Sequence, residues 1–249
     1  YKENAETILY VVDNIGWDNI VELKAKIRDV YQIENHSVHI SDNSGESLDI
    51  AHVLLNQNSV DALNYGSLCK YKDYIGNIQR FYAELKNQEA DTEDILIDSS
   101  GVLGIYGIRR PEDIDYLSLK DFHNYEFFVK ASDHSNNIAY YSQPKEELIY
   151  NPDNYLFAYG IKFCSLPVLY NMKKNRNEKK DREDCELMKP YIEKQVTYKM
   201  KIHQLMIHTK RILRNIFKRT IYRISPFLKT IHLYDTLENI YHTFKGLGK

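Results

Sequence analysis

Hydrophobic residues in the first seventy positions follow two periods, one typical of helices and one typical of strands. Between residues 16 and 33 they recur every three or four positions, as on one face of a helix: Ile20, Leu23, Ile27 and Tyr31. Shorter apolar runs predict a strand over 37–42, a helix over 44–57 and a second strand over 59–65. This order predicts a strand–helix–strand unit.

A polar helix is predicted next, over about 70–89, and an acidic stretch follows it at 87–94. Ser44 or Ser47 is expected to cap the helix of the strand–helix–strand unit, because a serine hydroxyl accepts a hydrogen bond from a free backbone N–H there. We therefore expect residues 1–91 to form a small N-terminal α/β unit.

The densest apolar runs lie in the middle of the chain, in residues 92–195. The runs DILIDS and DIDYLSL predict strands, and the small residues of SGVLGIYGI between them predict a turn into a helix. Further elements are predicted as strands over 125–131 and 138–142, a hairpin turning at Tyr159–Gly160, and helices over 166–175 and 181–192. Strands and helices in this order predict an α+β domain with a mixed sheet flanked by helices.

The last part of the chain, residues 196–249, reads as a basic amphipathic helical tail. One face of a helix over 198–224 carries Leu205, Ile212, Leu213, Ile216, Thr220 and Ile224, and Pro226 is expected to end that helix. Three roles remain open: the apolar face packs on the rest of the chain, the helix lies on an anionic membrane surface, or it contacts nucleic acid, which is the least favoured.

Charge separates this tail from the rest of the 249-residue chain. The tail holds eleven lysines and arginines against Asp235 and Glu238, a local charge of +9. Since the whole chain carries −2, the preceding residues carry −11. The three cysteines are far apart and lack metal-ligand spacing, which favours reduced thiols and a cytoplasmic location. The basic amphipathic tail leaves membrane association open as part of that location.

Two aspartates in the stretch DSSGVLGIYGIRRPEDIDYL are the strongest candidates for chemistry. Residues two apart in a strand point to the same side, so Asp113 and Asp115 are expected to present their carboxylates together. Paired carboxylates hold Mg²⁺ or Mn²⁺, which neutralises phosphate charge in group transfer. The small residues Ser99 and Ser100 are expected either to approach phosphate oxygens at the start of the following helix or simply to cap that helix.

Two arginines just before the aspartates add positive charge to this stretch. Arg109 and Arg110 are candidates to contact phosphate oxygens, because a guanidinium group binds phosphate through paired hydrogen bonds. The alternative for both residues is an ordinary surface charge.

This stretch resembles the signature of the DNA polymerase β-like nucleotidyltransferase superfamily. That signature has a hydrophobic residue, Gly-Gly or Gly-Ser, about ten residues, and then Asp-hydrophobic-Asp. The resemblance implies a nucleotidyltransferase-like sheet in 92–195, with Asp113 and Asp115 as catalytic metal ligands. The chain departs from the pattern at Ser99, where the family has glycine.

A second resemblance lies downstream, in IKFCSLPVLYNMKKNRNEKKDREDCELM. This segment is similar to the one that follows the sheet in nucleotidyltransferases of bacterial abortive-infection systems. The resemblance implies that Lys173 contacts nucleotide phosphates and that Asp181 supports it. A charged helix connection exposed to solvent is the alternative.

The family also implies a third carboxylate from a later strand, and the sequence leaves its identity open. Glu126, Asp133, Glu147 and Asp153 are the acids considered for it. The polar run Asp133–Asn137 reads either as a loop or as part of a substrate pocket.

Together these features predict a Mg²⁺-dependent nucleotidyl- or phosphoryl-transferase. Its expected substrates are a nucleoside triphosphate or nucleotide sugar and a glycan or lipid-linked acceptor. The acceptor is suggested because segments resembling GWDNIVELKAKIRDVY and HSVHISDN accompany such modules in glycan-assembly loci. Two alternatives remain open. One is a glycosyltransferase that uses the Asp-Ile-Asp triplet to hold a metal and a nucleotide sugar, and the other is a noncatalytic accessory domain.

Overall fold

The structure is a computed structural model and describes residues 8–11, 16–32, 38–41, 43–120, 127–195 and 197–230. The chain divides into two compact units, residues 1–194 and 195–249. The first unit includes residues on both sides of position 91. The division after residue 194 lies next to the boundary that the change in charge predicts.

A five-stranded mixed sheet forms the centre of the first unit. Its strands are β1 Ile95–Ile97, β2 Ile114–Ser118, β3 Ala131–Asp133, β4 Tyr155–Ala158 and β5 Ile161–Cys164. Their spatial order is β3-β2-β1-β5-β4. Strand β1 pairs antiparallel with β2 and parallel with β5, β3 pairs parallel with β2, and β4 pairs antiparallel with β5. The α+β class with a mixed sheet is therefore confirmed.

Helices precede and follow these strands along the chain, and several of them pack on the sheet. The helices described in this unit are α1 Trp17–Tyr31, α2 Ser44–Leu54, α3 Gln57–Tyr65, α4 Lys72–Asn87, α5 Ser100–Ile105, α6 Lys145–Tyr150, α7 Leu166–Arg176 and α8 Lys179–Ile192. The predicted helices near 16–33, 44–57, 70–89, 166–175 and 181–192 are confirmed. The hairpin turn at Tyr159–Gly160 is also confirmed, and both residues have positive φ, at 54° and 82°, as its β4–β5 turn requires.

The predicted N-terminal α/β unit is wrong in the described residues, because the second strand is a helix. Residues 59–65 belong to α3, whose first turn is capped by the Asn56 side chain accepting from the Ser59 N–H at 2.9 Å. The Ser59 hydroxyl accepts from the Phe157 N–H at 2.7 Å and so joins α3 to β4. A short apolar run does not distinguish a strand from a helix. Here the Asn56 cap and the contact of α3 with β4 stabilise the helix.

Other local predictions also need correction. Residues 38–41 form no strand, and α2 is capped by Asn43, which accepts from the Glu46 N–H at 2.9 Å, rather than by Ser44 or Ser47. The predicted strand over 138–142 is wrong, since a 3₁₀ helix spans Ser135–Tyr140.

The strand predicted over 125–131 is also shorter than expected. Residues 127–130 are not in a strand, and β3 begins only at Ala131. The preceding part of that prediction lies outside the described residues.

Helix α4 covers one face of the sheet. Ile78, Phe81 and Leu85 recur at helical spacing and are fully buried, and the Phe81 ring lies 5.6 Å from the ring of Tyr116 on β2. Burying side chains of this size stabilises the fold by about 1.5–3 kcal/mol each. This packing holds β2, and with it the predicted aspartates, in a fixed position.

The second unit contains α9, Tyr198–Thr230, a single helix of 33 residues. It continues through Pro226, so the prediction that this proline ends the helix is wrong. Proline removes one backbone donor and commonly kinks a helix without ending it. No helix in the described ranges combines the length and apolar character that crossing a membrane requires.

Candidate functional site

Four polar side chains form a row across the sheet at the point where β1 ends. The β1–β2 register continues one step beyond Ile97, where the Asp98 N–H donates to the Asp115 carbonyl at 2.8 Å. On the other side of β2, Asp115 is paired with Ser132 of β3. Directly paired residues point to the same face of a sheet. The row therefore brings together Asp98, Asp115 and Ser132, with Cys164 of β5 extending it.

Ser99 makes the turn from β1 into α5 in a conformation that favours glycine. Its φ is 52° and its ψ is −123°. A residue with a Cβ atom in such a conformation stores about 1–3 kcal/mol of strain. Glycine adopts such a conformation without steric cost, so the serine side chain makes this turn strained.

The strained turn places the Ser99 hydroxyl beside His134, which follows β3. The distance from Ser99 Oγ to His134 Nδ1 is 3.4 Å, and Asn137 Nδ2 lies 3.2 Å from the same nitrogen. His134 Nε2 lies 3.1 Å from Asp115 Oδ1. An amide N–H₂ only donates, so Nδ1 is the acceptor and Nε2 carries the proton toward Asp115.

Asp98 is fully buried at the centre of this row. The Tyr141 hydroxyl donates to its Oδ1 at 2.5 Å, and burial with the nearby Asp98 charge raises the pKa of Tyr141 well above its usual value. Its second oxygen, Oδ2, has no hydrogen-bond donor among the described residues. Buried carboxylate oxygens are normally satisfied, whereas here His134 Nδ1 lies 3.9 Å away, beyond hydrogen-bond distance, so this oxygen is available to a cation or a donor.

Asp115 is surrounded by other acids. Burial raises its pKa and the charges of Asp113 and Asp98 raise it further, whereas a positive charge on His134, present only when both ring nitrogens carry a proton, lowers it. Asp113, just before β2, is the third acid of this cluster, and Lys130 Nζ donates to its Oδ2 at 2.8 Å in a pair open to solvent. Such exposed pairs contribute at most about 1 kcal/mol, so the Asp113 carboxylate is easily released.

The acids considered for the third carboxylate are not in this cluster. Asp133 is the neighbour of Ser132 on β3, so its side chain points to the other face, where it accepts from the Ser135 N–H. Glu147 accepts from Asn151, and Asp153 precedes β4. Glu126 lies outside the described residues. In the described part of the chain, no three His, Cys, Asp or Glu side chains form a ready metal-ligand set.

Lys173 and Asp181 lie together in a buried ionic cluster between α7 and α8. Lys173 is 2% exposed, and its Nζ lies 3.2 Å from Asp181 Oδ1 and 3.0 Å from Asp184 Oδ2. Arg176 donates to both oxygens of Asp181, at 2.8 and 2.7 Å. Burial alone raises the pKa of Asp181, but these hydrogen bonds and charges outweigh burial and lower it to about 2.

The two candidate arginines point to different partners. Arg109 Nη2 lies 3.4 Å from Asp184 Oδ2, which joins Arg109 to the α7–α8 cluster. Arg110 is ion-paired with Asp73 of α4. Arg110 also lines an open cleft just before Asp113, together with Asp73, Tyr74, Asn77, Pro111 and Glu112.

The structure therefore brings the predicted residues together in two groups. Ser99, Asp113 and Asp115 share one sheet edge, with Ser100 beginning α5 beside them. Lys173 and Asp181 bond to each other in the second group. Sequence reasoning missed Asp98, whose only signal is its place at the end of an apolar strand, and treated His134 only as part of a polar run.

Comparisons with known proteins add no relative: the chain matches no family model, no curated protein and no solved structure.

Proposed function

We propose that the first unit transfers a nucleotidyl or phosphoryl group with a divalent cation, Mg²⁺ or Mn²⁺, bound at Asp113 and Asp115. The observation that carries the proposal is the cluster of Asp98, Asp113 and Asp115, in which the pKa of Asp115 is raised and one buried oxygen of Asp98 lacks a donor. Repulsion among three carboxylates is relieved by a cation.

Asp113 and Asp115 provide the number of protein carboxylates that Mg²⁺ usually binds. This ion is commonly bound by one or two protein carboxylates, with substrate phosphates and water completing the shell, so a pair is sufficient. Release of Asp113 from its exposed pair with Lys130 costs little. When bound, the ion neutralises phosphate charge during transfer.

The remaining residues have roles in binding the substrate. Ser99 and Ser100 begin α5 at the same sheet edge, and Arg110 lines the cleft beside Asp113, so their donors suit phosphate oxygens. Lys173 and Asp181 support the site by fixing α7 to α8. The nucleoside triphosphate or nucleotide sugar, and the glycan or lipid-linked acceptor, are proposed from the resemblance alone.

Thermal denaturation with nucleotides tests this proposal. A nucleoside triphosphate at about 100 times its Kd, with Mg²⁺, is expected to stabilise the fold by about 2.7 kcal/mol. For a unit of this size that raises Tm by about 5–10 °C, and EDTA is expected to remove most of the shift. A response to nucleotide sugars alone favours the glycosyltransferase alternative. No response to either class contradicts the proposal and favours an accessory domain.

A second candidate function has one specific observation in its favour. Ser99 Oγ, His134 and Asp115 are arranged as a nucleophile, a base and an orienting carboxylate, with the serine on a strained strand-to-helix turn. In this mechanism Ser99 Oγ bonds to an acyl or phosphoryl centre, His134 Nδ1 takes its proton, and the leaving group departs with that proton.

Replacing Ser99 with glycine separates the two candidates. Because φ at this position is 52°, we expect Ser99→Gly to relieve strain and to leave the free energy of unfolding unchanged or about 1 kcal/mol higher. Under the metal-dependent proposal, kcat falls less than tenfold. Under the serine mechanism it falls by at least about a thousandfold. Ser67→Gly, at an exposed serine outside this site, is the matched control. Urea denaturation measures the free energy of unfolding, and steady-state kinetics measures kcat.

A further inference from the structure

Helix α9 carries an exposed apolar stripe in about its first half, between Ile202 and Ile216. At 33 residues it is about 50 Å long. Six apolar side chains fall within an arc of about 120° of the helix circumference, and each is between 43% and 65% exposed: Ile202, Leu205, Met206, Ile212, Leu213 and Ile216. An exposed apolar surface of this size marks an interaction site.

Positive charge borders this stripe. Between Tyr198 and Thr230 the sequence holds nine lysines and arginines and no aspartate or glutamate. Lys199 and Lys210 lie along one edge of the stripe and Arg219 lies along the other. A partner that binds this surface therefore has to present an apolar region to the stripe and negative charges to the lysines and arginine along its edges.

We infer that α9 binds the surface of an anionic lipid bilayer, lying parallel to it with the apolar stripe in the boundary between headgroups and acyl chains. A bilayer surface offers both properties at once, and each nearby lysine or arginine contributes about 1 kcal/mol of attraction to anionic headgroups. Because α9 is not apolar enough to cross a membrane, binding is confined to the surface. This inference does not depend on the proposed function.

Two other occupants fit less well. A nucleic acid backbone matches the charge but leaves the apolar stripe exposed to water. A second copy of α9 covers the stripe but brings nine positive charges against nine others, with no acidic residue in the helix to offset them.

Vesicle sedimentation with the full chain tests the inference. We expect at least tenfold stronger partitioning to vesicles of phosphatidylcholine with 30% phosphatidylglycerol than to phosphatidylcholine alone, and a marked loss of binding in 500 mM NaCl. Ile216→Glu inserts a charge into the stripe and is expected to weaken partitioning at least about tenfold. Asn215→Glu makes the same change of net charge one residue away on the polar side, and is expected to cost less than about fivefold.

Three results would overturn the inference. One is equal binding to both vesicle types, and another is an equal effect of Ile216→Glu and Asn215→Glu. The third is the absence of vesicle binding, in which case an oligonucleotide gel shift or concentration-dependent dimerisation measured by sedimentation velocity identifies the other occupant. Circular dichroism of each variant verifies that helix content is retained, and Leu213→Glu provides a second stripe variant if Ile216→Glu loses helix.

Discussion

Replacing Asp115 with asparagine is expected to abolish the Mg²⁺-dependent Tm shift with nucleotide and to lower turnover by at least a hundredfold. Asparagine has nearly the same shape but no charge, so the variant removes the central carboxylate of the cluster while leaving the β2 backbone in place. Loss of one preorganised group that stabilises charge typically costs a factor of about 10²–10³ in rate.

The fold itself is not expected to suffer from this change. Burial and the carboxylates of Asp113 and Asp98 raise the pKa of Asp115, which means that its charge is held at a cost in the folded protein. We therefore expect the free energy of unfolding of Asp115→Asn in the absence of Mg²⁺ to equal or exceed that of the original protein. This combination, a more stable fold with less ligand binding, distinguishes a functional carboxylate from a structural one.

Glu112→Gln is the matched control, since it removes the same charge from an exposed side chain three residues earlier. It is expected to change the Tm shift and the turnover by less than a factor of three. If Asp115→Asn and Glu112→Gln behave alike, the assignment of Asp115 as a metal ligand is wrong. Titration calorimetry with Mg²⁺ and nucleotide provides the affinity directly.

Replacing Lys173 with methionine is expected to lower the free energy of unfolding by about 3–5 kcal/mol. Methionine keeps much of the volume of lysine but removes the ammonium group that lies between two fully buried carboxylates, Asp181 and Asp184. Removing one partner of a buried ion pair typically costs this much. Because Asp181 keeps its two bonds from Arg176 and Asp184 keeps the Arg109 guanidinium at 3.4 Å, we expect the lower end of the range. Urea denaturation measures the loss.

Lys180→Met is the control for Lys173→Met. Its side chain is exposed and its ion pair with Glu178 is open to solvent, so we expect a change of at most about 1 kcal/mol. A loss below 1 kcal/mol in Lys173→Met would refute the structural role of this lysine. Nucleotide affinity, measured where the variant is still folded, then tests whether Lys173 also contacts phosphate, as the resemblance implies.

The middle of the chain was predictable because its signals are local. The run of isoleucines and leucines before Asp98 identifies β1, and the alternation around Ile114 identifies β2 and puts Asp113 and Asp115 on one side. For α7 and α8, the helical spacing of apolar residues was sufficient to predict a helix, and Pro167 in the first turn of α7 indicated where that helix begins. Each of these patterns depends on neighbours within a few residues.

The N-terminal strands failed for the opposite reason. The run over 59–65 has too few residues for its period to be distinctive, and it is helical because Asn56 caps it and Ser59 bonds to Phe157 nearly a hundred residues away. No residue near 59–65 in the sequence indicates that Ser59 will bond to Phe157.

The sequence by itself determined the order of most helices and strands from Lys72 onward, the paired aspartates at the start of β2 and the separate basic tail. Only the tertiary structure decided which side chains join those aspartates. Asp98 and His134 directly follow two other strands, β1 and β3, 17 and 19 residues from Asp115, and the β1–β2–β3 register brings them beside it. Each strand's hydrophobic pattern constrains its register only against a particular partner strand, and the fold decides which strands are partners.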